Sequence, residues 1–217
     1  MKIKKLRLKS KHLEKQKAFY VNQLGFELLE ASNSFFSIRV GETHLSFEKS
    51  NEALYYHFAF NIPSFQIKEA ADWLEKQDIK LMEYEASCFV KFESWNADAI
   101  YFYDSDGNIV EFIARKNLEI ISDQPFSINS ILNVSEIGMP VVNVNEMYQH
   151  VLKYPGLQQY SGDQHYFCTM GDEHGLFLIV DQNTKKWMPT DLPAIPAAFQ
   201  MEMSIDGKDY TFKYPLS

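Results

Sequence analysis

Cysteine is scarce in this chain: two residues, Cys88 and Cys168, among 217. They stand far apart in apolar settings. That reads as a pair of reduced core thiols and argues against a disulfide scaffold or a thiolate metal clip. Long hydrophobic runs are absent as well. No stretch reaches the ~18 apolar residues that a membrane span requires, and no apolar segment of leader length follows the basic N-terminus. Positive charge is in deficit, with 21 Lys and Arg against 29 Asp and Glu and a net charge of −8. This sign argues against nucleic acid as a partner. Gly-rich phosphate loops, GxSxG elbows, CxxC pairs and HExxH helices are missing, which removes several common catalytic readings. The expectation that remains is a cytoplasmic protein without membrane or nucleic-acid partners.

What the chain has in quantity is aromatic surface: 17 Phe and 12 Tyr, in a composition that is 46% hydrophobic. Large flat side chains suit pleated sheets, whose faces bury them. The basic residues Lys2, Lys4, Lys5, Arg7, Lys9, Lys11, Lys15 and Lys17 crowd the start of the chain. They read as a solvated edge strand and helix face, with an anion-attracting surface as the alternative.

Three segments repeat one pattern. In the first, Ile3, Leu6 and Leu8 mark a strand, and Leu13–Leu24 a helix stopped by Gly25. Three strands follow over 26–30, 35–40 and 43–48. In the second, a strand at 55–61 precedes a helix at 67–77 carrying Ile67, Ala70, Ala71 and Leu74 on one face. Strands at 79–84, 99–103 and 108–114 complete it, the last two joined by the turn Asp104-Ser105-Asp106-Gly107. A third unit spans 134–181, residues 181–198 read as loop, and two more strands fall near 199–205 and 210–214. Repetition at this period predicts an α+β fold. Its βαβββ modules would form a curved mixed sheet with a concave ligand cup and helices on the outer face. The expected division is 1–118 for two paired modules and 119–217 for a third, divergent module with a C-terminal strand pair.

Alternation along the strands selects candidate site residues. His57, Ala59 and Asn61 share one face of the second module's first strand. Ile109, Glu111 and Ile113 share one face of its last. A carboxylate set among Ile109, Val110, Phe112 and Ile113 needs a cation, a donor or water. If Leu45 and Phe47 pack under the helices, His44, Ser46 and Glu48 turn to the concave side. Trp95, Tyr101 and Tyr103, with Phe92, are candidates to line the cup and orient a planar ligand; core packing is the other reading.

Several local motifs then carry a resemblance. They are Phe19-Tyr20 with Leu24-Gly25-Phe26, Tyr56-His57-Phe58-Ala59-Phe60, Trp95-Asn96-Ala97, and Asp104-Ser105-Asp106-Gly107-Asn108-Ile109-Val110-Glu111-Phe112. With the repeated module they resemble the vicinal-oxygen-chelate superfamily, which includes glyoxalase I, bleomycin-resistance proteins and extradiol dioxygenases. The resemblance implies a divalent ion (Zn, Ni, Fe or Mn) held in the cup by His57 and Glu111. The superfamily's first-module histidine position falls on Lys5, which as an ammonium is not a ligand. His44 is the compensating candidate, and Glu48 the candidate general base. Alternatively Lys5 pairs with Glu111 and supplies the ion's charge itself. In the third module Glu136 takes the place equivalent to Lys5, and His174 that of His44. Three functions stay open: a metal-dependent lyase, isomerase or dioxygenase; a metal-free binding or drug-sequestering protein; and a homodimer with an inert cup.

Overall fold

The apolar periodicities become elements close to where the sequence predicts them. The computed structural model describes residues 1–215. The first module comprises β1 (Lys2–Ser10), α1 (Leu13–Lys17) running into a π-helical turn over Ala18–Gln23, and β2 (Glu27–Ala31), β3 (Phe35–Val40) and β4 (Thr43–Lys49). The second comprises β5 (His57–Ile62), α2 (Ile67–Lys76), β6 (Val90–Phe92), β7 (Ala97–Tyr103) and β8 (Ile109–Arg115). The third comprises β9 (Asn133–Val141), α3 (Val144–Val151), β10 (Gln159–Gly162), β11 (Phe167–Asp172) and β12 (Gly175–Asp181). A hairpin of β13 (Phe199–Ile205) and β14 (Lys208–Tyr214) follows.

Local chemistry sets the ends and faces of these elements. The α2 helix buries Ile67, Ala70, Ala71 and Leu74, one stripe at helical spacing. Asn143 caps α3, its side-chain oxygen accepting from the Glu146 amide at 3.1 Å. One expected strand, at 79–84, forms no ladder: Leu81 makes a single bridge to Phe102. Left-handed residues at both of its ends, Asp78 (φ 59°) and Glu85 (φ 49°), turn the segment away, and β6 takes the sheet edge instead.

The described residues form two sheets, ordered β14-β13-β1-β4-β3-β2 and β10-β11-β12-β9-β5-β8-β7-β6. The expected pairing of the first two modules is not the one observed. Modules two and three share the eight-stranded sheet through antiparallel β5 and β9, whereas β13 pairs with β1 and completes module one. The reason is periodicity: Phe199, Met201, Met203 and Ile205 alternate inward on β13 and extend the apolar face of Ile3, Leu6 and Leu8. Strand β1 is therefore interior to its sheet, not an edge. Its basic side chains lie on the solvent face beside acids: Lys5 to Glu202 at 3.0 Å, Arg7 to Glu48 at 3.2 Å, Lys9 to Glu48 at 2.5 Å.

The helix-side faces of both sheets and the three helices enclose the main core. The eight-stranded sheet curls into a half-barrel, and its concave face carries a second apolar cluster. Two joints fix module one against the rest. The buried Asp104 carboxylate accepts from Gln16 (2.5 Å), Tyr20 (2.9 Å) and the Asn108 side chain (2.7 Å). Gly41, at φ +53°, lies so close to the chain entering β9 that a Cβ there would fall 2.0 Å from the Leu132 carbonyl oxygen.

The loop from β12 to β13 crosses the concave face as a strap. Trp187 and Ala194 sink into the concave cluster. Backbone bonds from the Trp187 amide to the Leu192 carbonyl (2.9 Å) and from the Ala194 amide to the Lys185 carbonyl (3.0 Å) tie the strap to itself. Among the described residues no helix is long and apolar enough to cross a membrane.

Candidate functional site

The register of the eight-stranded sheet lines up one row of residues. Glu136 on β9 lies opposite Ala59 on β5, Ala59 opposite Glu111 on β8, and Glu111 opposite Tyr101 on β7. All four are buried. Strands ~4.8 Å apart would hold the two carboxylates well separated, but the methyl of Ala59 leaves room for both to lean over it. His57, two residues along the same face, closes the triangle. One donor atom from each of His57, Glu111 and Glu136 falls within 4.8 Å of the others.

The histidine is oriented from behind. Its Nδ1 lies 3.2 Å from the Ile109 carbonyl oxygen, to which an Nδ1–H donates. Nε2 then faces the Glu111 carboxylate at 3.4 Å, too long for a well-formed hydrogen bond and suited to two groups that share a cation. Glu136 is held from its other side by Arg115, which is fully buried and in direct contact through Nη2. Arg115 Nε also donates to Asn61 at 3.3 Å. The guanidinium lies 5.2 Å from the Trp95 ring and 5.9 Å from the Tyr160 ring. Its Nη1 has no hydrogen-bond partner among the described residues.

Electrostatics follow from this crowding. Burial, then the Glu111 charge, push the Glu136 carboxyl up to about 7, against the opposing pull of Arg115 and His57. Burial, then Glu111 and Glu136, hold the Tyr101 phenol well above its usual value, so it stays protonated. Arg115 sets one positive charge against the two carboxyl groups. An imidazole nitrogen and two carboxylates are suitable donors for zinc, iron or manganese. The orienting Ile109 carbonyl and the open gap at Nε2 fit such an ion.

The structure brings His57 and Glu111 together, as their alternation suggested. It does not bring His44 to them. His44 lies beside Lys5 in the other sheet, and the third member of the group is Glu136. Lys5 pairs with Glu202 and not with Glu111. Glu48 is neutralised by Arg7 and Lys9 on the solvent face of the first module, away from the imidazole. Tyr101 and Trp95 line the chamber with His57, Glu111 and Glu136. Tyr103 lines a neighbouring cavity, and His174 sits exposed in the β11–β12 turn. Arg115, Lys185 and Trp187 escaped the sequence reading. Arg115 had a signal, since it follows Glu111 and Ile113 on the same face; the two strap residues had none in the strand pattern.

Comparison with known proteins follows the same lines. No family model matches the chain, and no curated protein matches it in sequence. Among solved structures, a protein named as a candidate dioxygenase from Bacillus subtilis overlays 83% of this chain and 63% of its own length. Its TM-score is 0.59 at 13% identity. A glyoxalase/bleomycin resistance protein/dioxygenase from Nocardioides overlays 58% of this chain and 89% of its own (TM-score 0.45, 21% identity). A lactoylglutathione lyase from Agrobacterium tumefaciens overlays 51% and 91% (TM-score 0.44, 19% identity). The chain has a glyoxalase-like fold. Within that fold the chamber lies in the cup formed by modules two and three. It encloses about 70 Å³, room for an ion and one or two small oxygen ligands. Phe92, Phe167, Leu178, Trp187 and Met188 wall it, and Lys185 stands at it, its Nζ 4.9 Å from the Phe167 ring and 5.4 Å from the Tyr166 ring.

Proposed function

We propose that this protein binds a small molecule in the cup of its eight-stranded sheet, with a divalent cation held by His57, Glu111 and Glu136. The observation that carries the reading is the buried imidazole Nε2 facing the Glu111 carboxylate at 3.4 Å with its Nδ1 committed to a backbone carbonyl. Bound there, the ion would act as a Lewis acid toward substrate oxygens, the chemistry of a lyase, isomerase or dioxygenase. The chain's own residues have separate tasks. Arg115 fixes one Glu136 oxygen and offsets part of the acidic charge. Tyr101 keeps its proton and presents a hydroxyl next to Glu111. The apolar walls lower the polarity around these groups, which strengthens the charge interactions among them.

Metal analysis of the purified protein, followed by calorimetric titration with Zn²⁺ and Mn²⁺, tests this. His57→Ala and Glu111→Gln are expected to weaken binding by at least about tenfold, as even outer-shell losses do. Affinities indifferent to both changes remove the reading. One observation favours a second, metal-free reading: Glu136 already has a cation in Arg115. Binding of a small ligand at full strength in EDTA, with no measurable affinity for either metal, would establish it.

A further inference from the structure

Beside the acidic chamber lies a larger cavity of about 440 Å³, in the size range of small-molecule sites. One wall is the rigid end of module two, with Tyr55, Tyr103 and Ile109. The other is the strap, with Trp187, Leu192 and Ile195. Among the described residues no charged side chain lines it. Around its mouth four large apolar or aromatic side chains stand open to solvent: Tyr55 (52% exposed), Tyr103 (44%), Leu192 (45%) and Ile195 (56%). Their convergence on one concavity, from segments nearly 140 residues apart in the chain, marks a surface left apolar at a cost in hydration.

Trp187 is common to both compartments. Its indole borders the 440 Å³ cavity on one side and the chamber on the other, with its ring 5.0 Å from the His57 ring. It is seated by Gly138, where a Cβ would fall 2.6 Å from the indole. Trp187, on the loop, is thus the side chain that lines both cavities.

We propose that the larger cavity binds the flat, uncharged apolar body of a small-molecule ligand, with the Trp187 indole as the wall between that body and the acidic chamber. The inference gives the chemistry of the ligand's body, and rests on the preceding reading only for where its polar end would go. Aromatic side chains on both sides, Tyr55 and Tyr103 opposite Trp187, favour a planar ring system, and the lack of charge disfavours an ionic one. The Tyr55 and Tyr103 hydroxyls at the rim offer hydrogen bonds to a polar substituent.

The test uses the neutral naphthalene fluorophore prodan, titrated into the protein in EDTA. Saturable one-site binding with blue-shifted emission is expected. Ile195→Asp on the strap and Tyr103→Asp on the rigid wall should each weaken it by on the order of tenfold, because each puts a carboxylate against the apolar body. Val142→Asp, at an equally apolar and 73% exposed position elsewhere, should leave it unchanged. Because the titration is made in EDTA, failure of the metal reading and failure of this one are separable. Absence of saturable binding, wild-type affinity in both wall variants, or loss of binding in Val142→Asp would overturn the proposal.

Discussion

Removing the Arg115 guanidinium tests the electrostatics of the site most directly. Arg115 is 0% and Glu136 1% exposed, so truncating either partner strands a charge away from water. Such losses cost about 3–5 kcal/mol. For a chain of this length, at about 2–4 °C per kcal/mol, that is roughly 6–20 °C in Tm. The two single variants should differ in kind. In Arg115→Met, Glu136 faces Glu111 across Ala59 and can escape by taking a proton, so the loss should shrink as pH falls from 8.5 to 5.5. In Glu136→Gln the guanidinium cannot deprotonate and residue 136 takes up no proton, so the loss should persist and widen as pH falls. The double variant, neutral at both positions, should recover most of the stability, because apolar replacement of a buried pair is often near neutral. Zn²⁺ at about 100 times its Kd should return about 2.7 kcal/mol to Arg115→Met by mass action. Urea unfolding followed by tryptophan fluorescence measures all four proteins. Single variants within about 1 kcal/mol of wild type, or an additive double variant, would refute the reasoning.

Three more outcomes follow from the same geometry. Glu136 is raised from 4.5 to about 7 and Asp104 from 3.8 to about 6, both by burial; their protonated forms thus stabilise the fold fully below the lower value and lose that effect as pH rises through the upper one. Metal-free wild type should gain stability from pH 8 to 5.5 and Glu136→Gln should lose part of that gain; identical slopes in chemical denaturation would contradict it. Gly138→Ala should displace the Trp187 indole, red-shift tryptophan emission and cost about 1–3 kcal/mol, and an unchanged spectrum would show that the indole does not rest there. Asp104→Ala should cost about 3 kcal/mol or more by stranding the Gln16, Tyr20 and Asn108 donors, with Asp104→Asn milder; equal Tm values for Asp104→Ala and wild type would count against the joint.

Local pattern made much of this legible. The helical stripe of α2, the alternation of β5 and β8, and the Asp104–Gly107 turn all follow from short-range rules, and so do the inward faces of His57 and Glu111. Module pairing did not follow, because any of the three modules presents the same kind of edge. What decides it is the inward alternation of Phe199 to Ile205, nearly two hundred residues from the strand it joins. Once that pairing is missed, the third member of the group is sought in the wrong sheet: His44 is preferred, although Glu136, between Ser135 and Ile137, is as out of place as Glu111. Arg115 was masked by its position at a strand end, where a cation normally reaches water. Trp187 lies in a proline-rich loop, where periodicity carries no information about which residue turns inward.

The partner of β1 also bears on how the chain is made. Leu6 waits for Met201, and at 5–20 residues per second that wait is about 10–40 seconds of synthesis. During it the opening strand has β4 on one flank and nothing on the other, the condition in which a strand recruits strangers. The lysines spaced along it are then doormen for a seat reserved until the ribosome delivers its occupant, and their neutral replacement would first be felt as aggregation of nascent chains, before any change in the finished fold.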